Sequence, residues 1–421
     1  MKKLAALVLM MVSALAALAQ TSATAEPKLS PAEQSMAVAR KLIDKNPKNY
    51  EAYNALALAL SRRARETSDV SFYAQAEAAL QKSFEISPGN FDGERIHVWL
   101  LLGKHEFATA LEEARKLNKK MPDDVMVYGF LTDANVELGD YRDAENACQW
   151  MLNLRAGNLP GVTRAAYLRE LFGDIEGSLD LMNMAFQSTP PTQAEDGAWI
   201  LTQMAHLNLA TGNLDKSEKL LRQALVMFPG YHYALGNLAK VRIQQKRYGE
   251  AVELLKQRYK AAPHAENLYD LAEALKLDGR TDGANKAFAE FEQKSLLETG
   301  RGDNSNHELI FYYADHANQP AKALDVAKRE IARRHDVFTL DSYAWALYVS
   351  GQYGEARKQI EAALAVGIQD AKIFRHAGEI ALKAGDRPAA ERYLRQAAEL
   401  NSAGSEQART TLASLSPVPA Q

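Results

Sequence analysis

The histidines are the first residues to test for chemistry, because histidine serves as a metal ligand and as a general acid or base. The chain has nine: His97, His105, His206, His232, His264, His307, His316, His335 and His376. No two have the His-Glu-x-x-His spacing that brings two imidazoles to one face of a helix. The single cysteine, Cys148, forms no Cys/His cluster. The sequence therefore predicts no metal site and no bound cofactor.

The sequence also lacks the other common signatures of a catalytic site. The chain has no Gly-x-Ser-x-Gly elbow and no glycine-rich phosphate loop, and its many carboxylates show no spacing that selects a catalytic pair. Arg301-Gly302-Asp303 matches a short adhesion tripeptide, although a glycine-containing loop is the better interpretation of so short a match. We predict that the protein is not an enzyme, with an unrecognised active site in a groove as the alternative.

A small residue recurs about every 35 residues. This period indicates a repeated pair of helices, and these helices would position the side chains of any binding site. The series is Ala76, Ala108, Ala144, Ser178, Ser217, Ala251, Ala284, Ala323, Ala356 and Ala390. A glycine usually stands five positions earlier: Gly103, Gly139, Gly173, Gly212, Gly279, Gly351 and Gly385. Glycine takes positive φ at little cost and ends a first helix, while the small residue lets a second helix pack closely. Such helix pairs bury their apolar faces only by stacking.

These residues resemble the tetratricopeptide repeat, most closely at 212–229, 233–263 and 340–364. The resemblance implies an all-α fold, a right-handed superhelical solenoid of stacked antiparallel helix pairs. About ten repeats cover 49–401. In this family the repeats mostly serve as scaffolds for protein partners.

The domain organisation follows from the repeats and from the composition between them. We expect a polar lead-in at 26–48, and a capping helix with a disordered tail at 402–421. Looser joints at 187–197 and 300–306 are either hinges or ordered loops. The possible sub-blocks are 49–190, 195–297 and 304–401.

The concave groove is the candidate site that the resemblance implies, because the first helix of each pair lines it in this family. The aromatic and histidine candidates are Tyr167, Trp199, His206, Tyr233, Tyr269, Tyr312, Trp345 and Tyr348. The charged groups that interleave with them are Glu170, Lys240, Glu266, Glu273, Glu308, Asp315 and Asp341. Aromatic anchors with a polar surround suit an extended peptide, so we predict a scaffold that binds a protein or peptide.

Two alternatives to this prediction remain open at the level of sequence. Several of the aromatic side chains could pack between adjacent repeats instead of facing a ligand. The same aromatic residues could also bind a carbohydrate or envelope polymer, with sugars stacked on Trp199 and Trp345.

Charge and the first residues bear on partners and location. A formal net charge of −3, from 50 basic and 53 acidic residues, does not indicate a nucleic-acid partner. Lys2 and Lys3 precede an apolar run at 4–18, which small-residue cleavage sites ending at Ala19 or Ala25 follow. We therefore predict a signal peptide at 1–25 of bacterial style, export to the periplasm or outside the cell, and no transmembrane span in the mature chain.

Overall fold

The computed structural model describes residues 29–415, so the predicted signal peptide at 1–25 and the end of the predicted tail at 416–421 lie outside the described residues. The described part is helical and contains no strand. Its helices are α1 (Pro31–Lys45), α2 (Tyr50–Thr67), α3 (Ser71–Ile86), α4 (Phe91–Gly103), α5 (Phe107–Lys120), α6 (Val125–Glu137), α7 (Tyr141–Leu154), α8 (Leu159–Leu171), α9 (Ile175–Ser188), α10 (Ala194–Ala210), α11 (Leu214–Met227), α12 (His232–Gln244), α13 (Tyr248–Ala261), α14 (Ala265–Leu277), α15 (Thr281–Leu296), α16 (Asn306–Phe311), α17 (Pro320–Ile331), α18 (Val337–Val349), α19 (Tyr353–Ala365), α20 (Ala371–Lys383), α21 (Arg387–Glu399) and α22 (Ser405–Leu415). A π-helical turn at Tyr312–His316 continues α16.

Helices α2 to α21 form ten consecutive pairs that stack into an all-α solenoid, which confirms the predicted fold class. We number the pairs as repeats 1–10, and call the even-numbered member of each pair its first helix and the odd-numbered member its second helix. Within this described stretch no helix is long and apolar enough to cross a membrane.

The recurring small residue lies in the seam of nearly every pair. Ala144, Ala251 and Ala356 are all fully buried, as a close approach of two helices requires. Repeat 2 is the exception, because Ala108 is exposed and Ala110 is the buried residue. The prediction there was wrong by two positions.

In repeats 2 to 10, the turn between the first and the second helix lies five residues before that buried position and has positive φ. In repeat 1, Ser68 takes positive φ eight residues before Ala76. Glycine forms the turn in most repeats, for example Gly173 at 82°. His105 (57°), Lys246 (59°) and Asn318 (50°) take the same left-handed conformation in repeats 2, 6 and 8. Gly103 therefore does not form the turn of repeat 2, contrary to the prediction.

The segment at 26–48, predicted as a polar lead-in, contains the well-formed helix α1. Ser30 caps it, since its hydroxyl accepts from the Glu33 amide while the Glu33 carboxylate accepts from the Ser30 amide. Met36 and Ala39 are buried where α1 packs on α2. The lead-in thus extends the stack, and at the other end α22 packs on α20 and α21 through buried Ala408.

The first helices lie on the inside of the curve. Neighbouring first helices contact one another, as in α2–α4, α10–α12 and α18–α20, whereas second helices chiefly contact first helices. We call the surface that the first helices form on the inside of the curve the inner surface.

Successive turns of the solenoid contact each other along a seam. The turn that ends a first helix meets the loop preceding the first helix six repeats later. The amide of His335 donates to the carbonyl of Glu137 at 2.9 Å, and the amide of Val337 donates to the Tyr141 hydroxyl at 3.0 Å. At Gly173 an added Cβ would lie 2.6 Å from the carbonyl oxygen of Gly367.

The Arg301-Gly302-Asp303 loop belongs to the same seam. A Cβ added at Gly302 would lie 2.6 Å from the carbonyl oxygen of Lys104, in the turn of repeat 2. Gly302 is therefore packed between two turns of the solenoid, as expected for a glycine-containing loop.

Candidate inner-surface binding site

The inner surface is held together by polar bonds between neighbouring first helices. Each bond joins side chains about one repeat apart, so it fixes the position of one first helix against the next. The pairs are Asn54 with Asn90, Arg164 with Asp133, His206 with Glu170, His316 with Glu273, Trp345 with Asp315, and His376 with Asp341. Several charged candidates from the sequence thus position other side chains.

His206 is one predicted site residue that remains open. Its Nε2 lies 3.0 Å from a Glu170 carboxylate oxygen, yet 42% of the His206 side chain is exposed. Glu170 itself is buried. Because the carboxylate holds one ring nitrogen, the imidazole has a fixed orientation and can contact a ligand with its free edge.

Tyr233 is half-buried and lines a cavity between repeats 1 and 2 and repeats 6 to 8. Its ring lies 3.9 Å from that of His232 and 5.5 Å from that of Tyr231. Burial, together with the nearby Glu266 carboxylate, raises the pKa of Tyr233 to about 12. The phenol is therefore a neutral hydrogen-bonding group at physiological pH.

Tyr269 and Tyr312 lie together in an aromatic cluster with side chains of α15. Phe291 is 5.2 Å from Tyr269 and 5.8 Å from Tyr312, measured between ring centroids. The Tyr312 hydroxyl donates to Glu292 of α15 at 3.3 Å. Tyr312 therefore packs against a second helix, as in the alternative that these aromatic residues fill the space between helices.

Trp345 and Tyr348 form a stack with His376. The Trp345 ring lies 4.1 Å from His376 and 4.7 Å from Tyr348, and its Nε1 donates to Asp315 at 2.8 Å. Trp345 is only 5% exposed. The indole is thus a packed side chain and offers no open face to a ligand.

Trp199 and Tyr167 are both half-buried at packed positions. Trp199 packs against two apolar clusters, one formed by repeats 4 and 5 and the other by repeats 5 and 6. Tyr167 packs near Tyr141 at the seam with repeat 9, where burial and the Glu137 carboxylate raise its pKa. The eight candidates therefore do not form one continuous band on the inner surface.

The buried His376–Asp341 pair has the residue types of a catalytic dyad. His376 Nδ1 lies 2.7 Å from Asp341, and its Nε2 lies 2.8 Å from an Arg375 nitrogen. Both ring nitrogens are engaged and the imidazole is fully buried. The pair therefore holds the Trp345 stack in place and cannot reach a substrate.

A lysine that the sequence did not single out also faces this region. Lys372 Nζ lies 3.3 Å from the centroid of the Phe311 ring, and burial lowers its pKa. No periodic signal marks this position, which explains why it was missed. In the part of the chain that the structure describes, no group of three or more His, Cys, Asp or Glu residues is placed to hold a metal ion.

Carboxylates gather on the inner surface of repeats 7 and 8. Glu308 is half-buried, and burial together with the negative charges of Glu266 and Asp270 raises its pKa to about 7. Glu266 and Asp270 both pair with the Arg258 guanidinium, so burial is the main cause of the raised Glu308 pKa.

Comparison with protein families matches a tetratricopeptide-repeat model to residues 202–266 and 344–405. These two segments are therefore similar to tetratricopeptide repeats. The matched segments lie within repeats 5–7 and 9–10, where the sequence fit was best. A search of curated proteins found no match.

Two solved structures are similar to this chain at low sequence identity. A human IFIT1 dimer with m7Gppp-AAAA is 13% identical, covers 89% of this chain and 91% of its own, and has a TM-score of 0.50. The crystal structure of PilW, a type IV pilus biogenesis factor, is 13% identical over 48% of this chain and 92% of its own, with a TM-score of 0.42. At these identities the likeness is one of fold alone.

Proposed function

We propose that this tetratricopeptide-repeat protein is a scaffold that binds an extended polypeptide along its inner surface. The observation that carries the proposal is the series of polar bonds between neighbouring first helices, exemplified by His206 with Glu170 at 3.0 Å. These bonds fix the surface before any ligand arrives, so binding costs little ordering of the scaffold.

The chemistry of the open groups supports a polypeptide as the ligand. His206 and Tyr233 present an imidazole edge and a neutral phenol, which are suited to backbone and side-chain contacts. In repeats 7 and 8, Arg258 pairs with Glu266 and Asp270, and Glu308 adds a third carboxyl group. A segment that carries basic residues would complement this part of the surface.

A carbohydrate ligand has less support. Sugar binding by aromatic residues needs an open ring face, and Trp345 lacks one because His376 and Tyr348 stack on it. Trp199 packs against the apolar clusters of repeats 4 to 6. We therefore favour the polypeptide, with polysaccharide binding as an outcome that the experiment would reveal.

Selection from a random peptide display library against the full-length protein tests the proposal. Selected peptides should bind wild type and lose at least tenfold in affinity on a His206→Ala/Tyr233→Ala variant. Trp150→Ala is the matched control, because Trp150 is 52% exposed on a second helix. Failure to select any peptide, or equal losses in both variants, would reject the inner surface as a peptide site. Capture of polysaccharide alone would support the alternative.

We further propose that the protein acts outside the cytoplasm of a bacterium. Support comes from Lys2 and Lys3, the apolar run at 4–18 and the small-residue sites at Ala19 and Ala25. Amino-terminal sequencing of protein recovered from the periplasm of an expressing bacterium should begin at residue 20 or 26. An intact first residue on cytoplasmic protein would overturn export.

A further inference from the structure

A cavity of about 250 Å³ lies where the first two repeats meet the sixth to eighth. Its wall includes Arg65 of α2, Tyr73 of α3, Trp99 of α4, Tyr233 of α12, His264 before α14, and Asp303 before α16. These residues come together only because the solenoid closes on itself. No single repeat contains the site, which is why the sequence did not predict it.

Three aromatic side chains shape the cavity. Tyr73, Trp99 and Tyr233 are all half-buried and line the same space. Gly103 makes room for one of them, since a Cβ at Gly103 would lie 2.8 Å from the Tyr73 hydroxyl oxygen. Aromatic faces grouped in this way attract a cation through the negative face of the ring.

Asp303 supplies a negative charge to this cavity. Its carboxylate is half-buried and makes no ion pair with a Lys, Arg or His among residues 29–415, and burial raises its pKa. Its neighbour in the wall, His264, has a buried Nε2 without a hydrogen-bond partner within the same residues. A buried carboxylate of this kind gains stability when a cation binds beside it.

The other charged groups of the wall are paired, neutral or exposed to solvent. Arg65 is paired with both Glu195 and Asp196 at the start of α10, and Glu266 is paired with Arg258. His105 is neutral at physiological pH, because burial and the positive charge of Arg334 lower its pKa to about 4. Arg62 also lines the cavity, but its side chain is exposed, so solvent screens its charge. Among residues 29–415, Asp303 is therefore the acidic group of this wall that is shielded from solvent and has no ion-pair partner.

We propose that this cavity binds one ammonium or guanidinium group, supplied by a lysine or arginine side chain of the bound polypeptide. Asp303 pairs with the cation, and the rings of Tyr73, Trp99 and Tyr233 surround its alkyl stem and charged head. The identity of the cation's carrier rests on the proposed function, whereas the cation site itself does not.

Calorimetric titration of the full-length protein tests the site with small probes. N-acetyl-lysine methylamide and N-acetyl-arginine methylamide should bind with dissociation constants on the order of 1 mM, the range of a single anchored group. N-acetyl-norleucine methylamide, which has a similar stem and no charge, should not bind. Equal binding of the norleucine probe, or no binding of either cationic probe, would overturn the inference.

Two matched variants separate the site from a general charge effect. Asp303→Asn should weaken binding of the cationic probes at least tenfold with an unchanged circular dichroism spectrum. Asp325→Asn is the control, because this substitution removes the same charge from an exposed position on α17. Equal weakening in both variants would overturn the site. Tighter binding of putrescine than of the lysine probe would overturn the assignment to a polypeptide side chain.

The display experiment distinguishes this inference from the proposed function. Selected peptides that bind wild type and Asp303→Asn equally would leave the peptide-binding scaffold standing and remove the cation site. If the cationic probes bind and no peptide can be selected, the cation site would stand and the peptide-binding scaffold would be rejected.

Discussion

The backbone amide of His335 donates a hydrogen bond of 2.9 Å to the carbonyl of Glu137, which ends the first helix of repeat 3. The two residues belong to successive turns of the solenoid, so this bond links repeats that are not neighbours in sequence. The Arg334 guanidinium lies 3.6 Å from the Glu137 carboxylate and reinforces it. The inner surface is therefore fixed along the stack and also across its turns.

The seam between turns should be sensitive to a single added carbon. Gly173→Ala introduces a Cβ 2.6 Å from the carbonyl of Gly367 at a φ of 82°. Gly279→Ala, at a φ of 74° with nothing within 4 Å, has the same backbone strain without the clash. We expect the control to cost about 1 kcal/mol and Gly173→Ala at least about 1 kcal/mol more in urea unfolding. Equal losses would mean that the seam is not closed in solution.

Glu218 should contribute stability that acid removes. The buried Arg242 guanidinium donates to the Glu218 carboxylate and lowers the Glu218 pKa from 4.5 to about 2. A carboxyl whose pKa falls on folding stabilises fully above its unfolded pKa and loses this contribution as pH falls to the folded one. Glu218→Gln should cost about 1–3 kcal/mol at pH 7 and progressively less from pH 4.5 toward 2. A cost independent of pH would contradict the ion pair.

Glu308 should act in the opposite direction. Its pKa is raised from 4.5 to about 7, so the folded state holds a proton that the unfolded state has released between these values. The contribution of Glu308 to the free energy of unfolding therefore falls as pH rises from 4.5 to 7, and it stays low above pH 7. Glu308→Gln should raise the thermal midpoint at pH 8 and leave it unchanged near pH 4. A variant less stable than wild type at pH 8 would contradict the raised pKa of Glu308.

Trp345 should prove to be a structural residue. Trp345→Ala should cost about 3–5 kcal/mol, because it empties a buried position between His376 and Tyr348. Trp345→Phe keeps an aromatic ring and loses the bond to Asp315, so it should cost about 1–2 kcal/mol. Chemical denaturation measures both. A fully stable Trp345→Ala variant with lost peptide binding would instead make Trp345 a ligand contact.

The fold could be predicted from the sequence because local rules repeat in it. A buried small residue and a left-handed turn five positions earlier recur in nine of the ten pairs, whether the turn residue is Gly173, Lys246 or Asn318. The error in repeat 2 arose because His105 takes the turn conformation that was assigned to Gly103. A non-glycine residue at positive φ carries no strong sequence signal.

The site could be predicted only in part, because the period does not encode how the turns stack. The contact of Gly302 with Lys104, and the gathering of Tyr73, Tyr233 and Asp303, depend on the pitch of the solenoid. Helical spacing likewise cannot separate an exposed aromatic from a packed one. Trp345 and His206 occupy first helices alike, yet one is buried and the other open.

Site-specific photo-crosslinking tests the central claim most directly. A benzoylphenylalanine placed at His206 or Tyr233 should crosslink to a library-selected peptide, and the same probe at Trp150 on a second helix should not. Crosslinking at both inner positions alone is the result that an inner-surface scaffold predicts. Crosslinking at Trp150 with none at His206 or Tyr233 would contradict it and place the ligand on the outside of the solenoid.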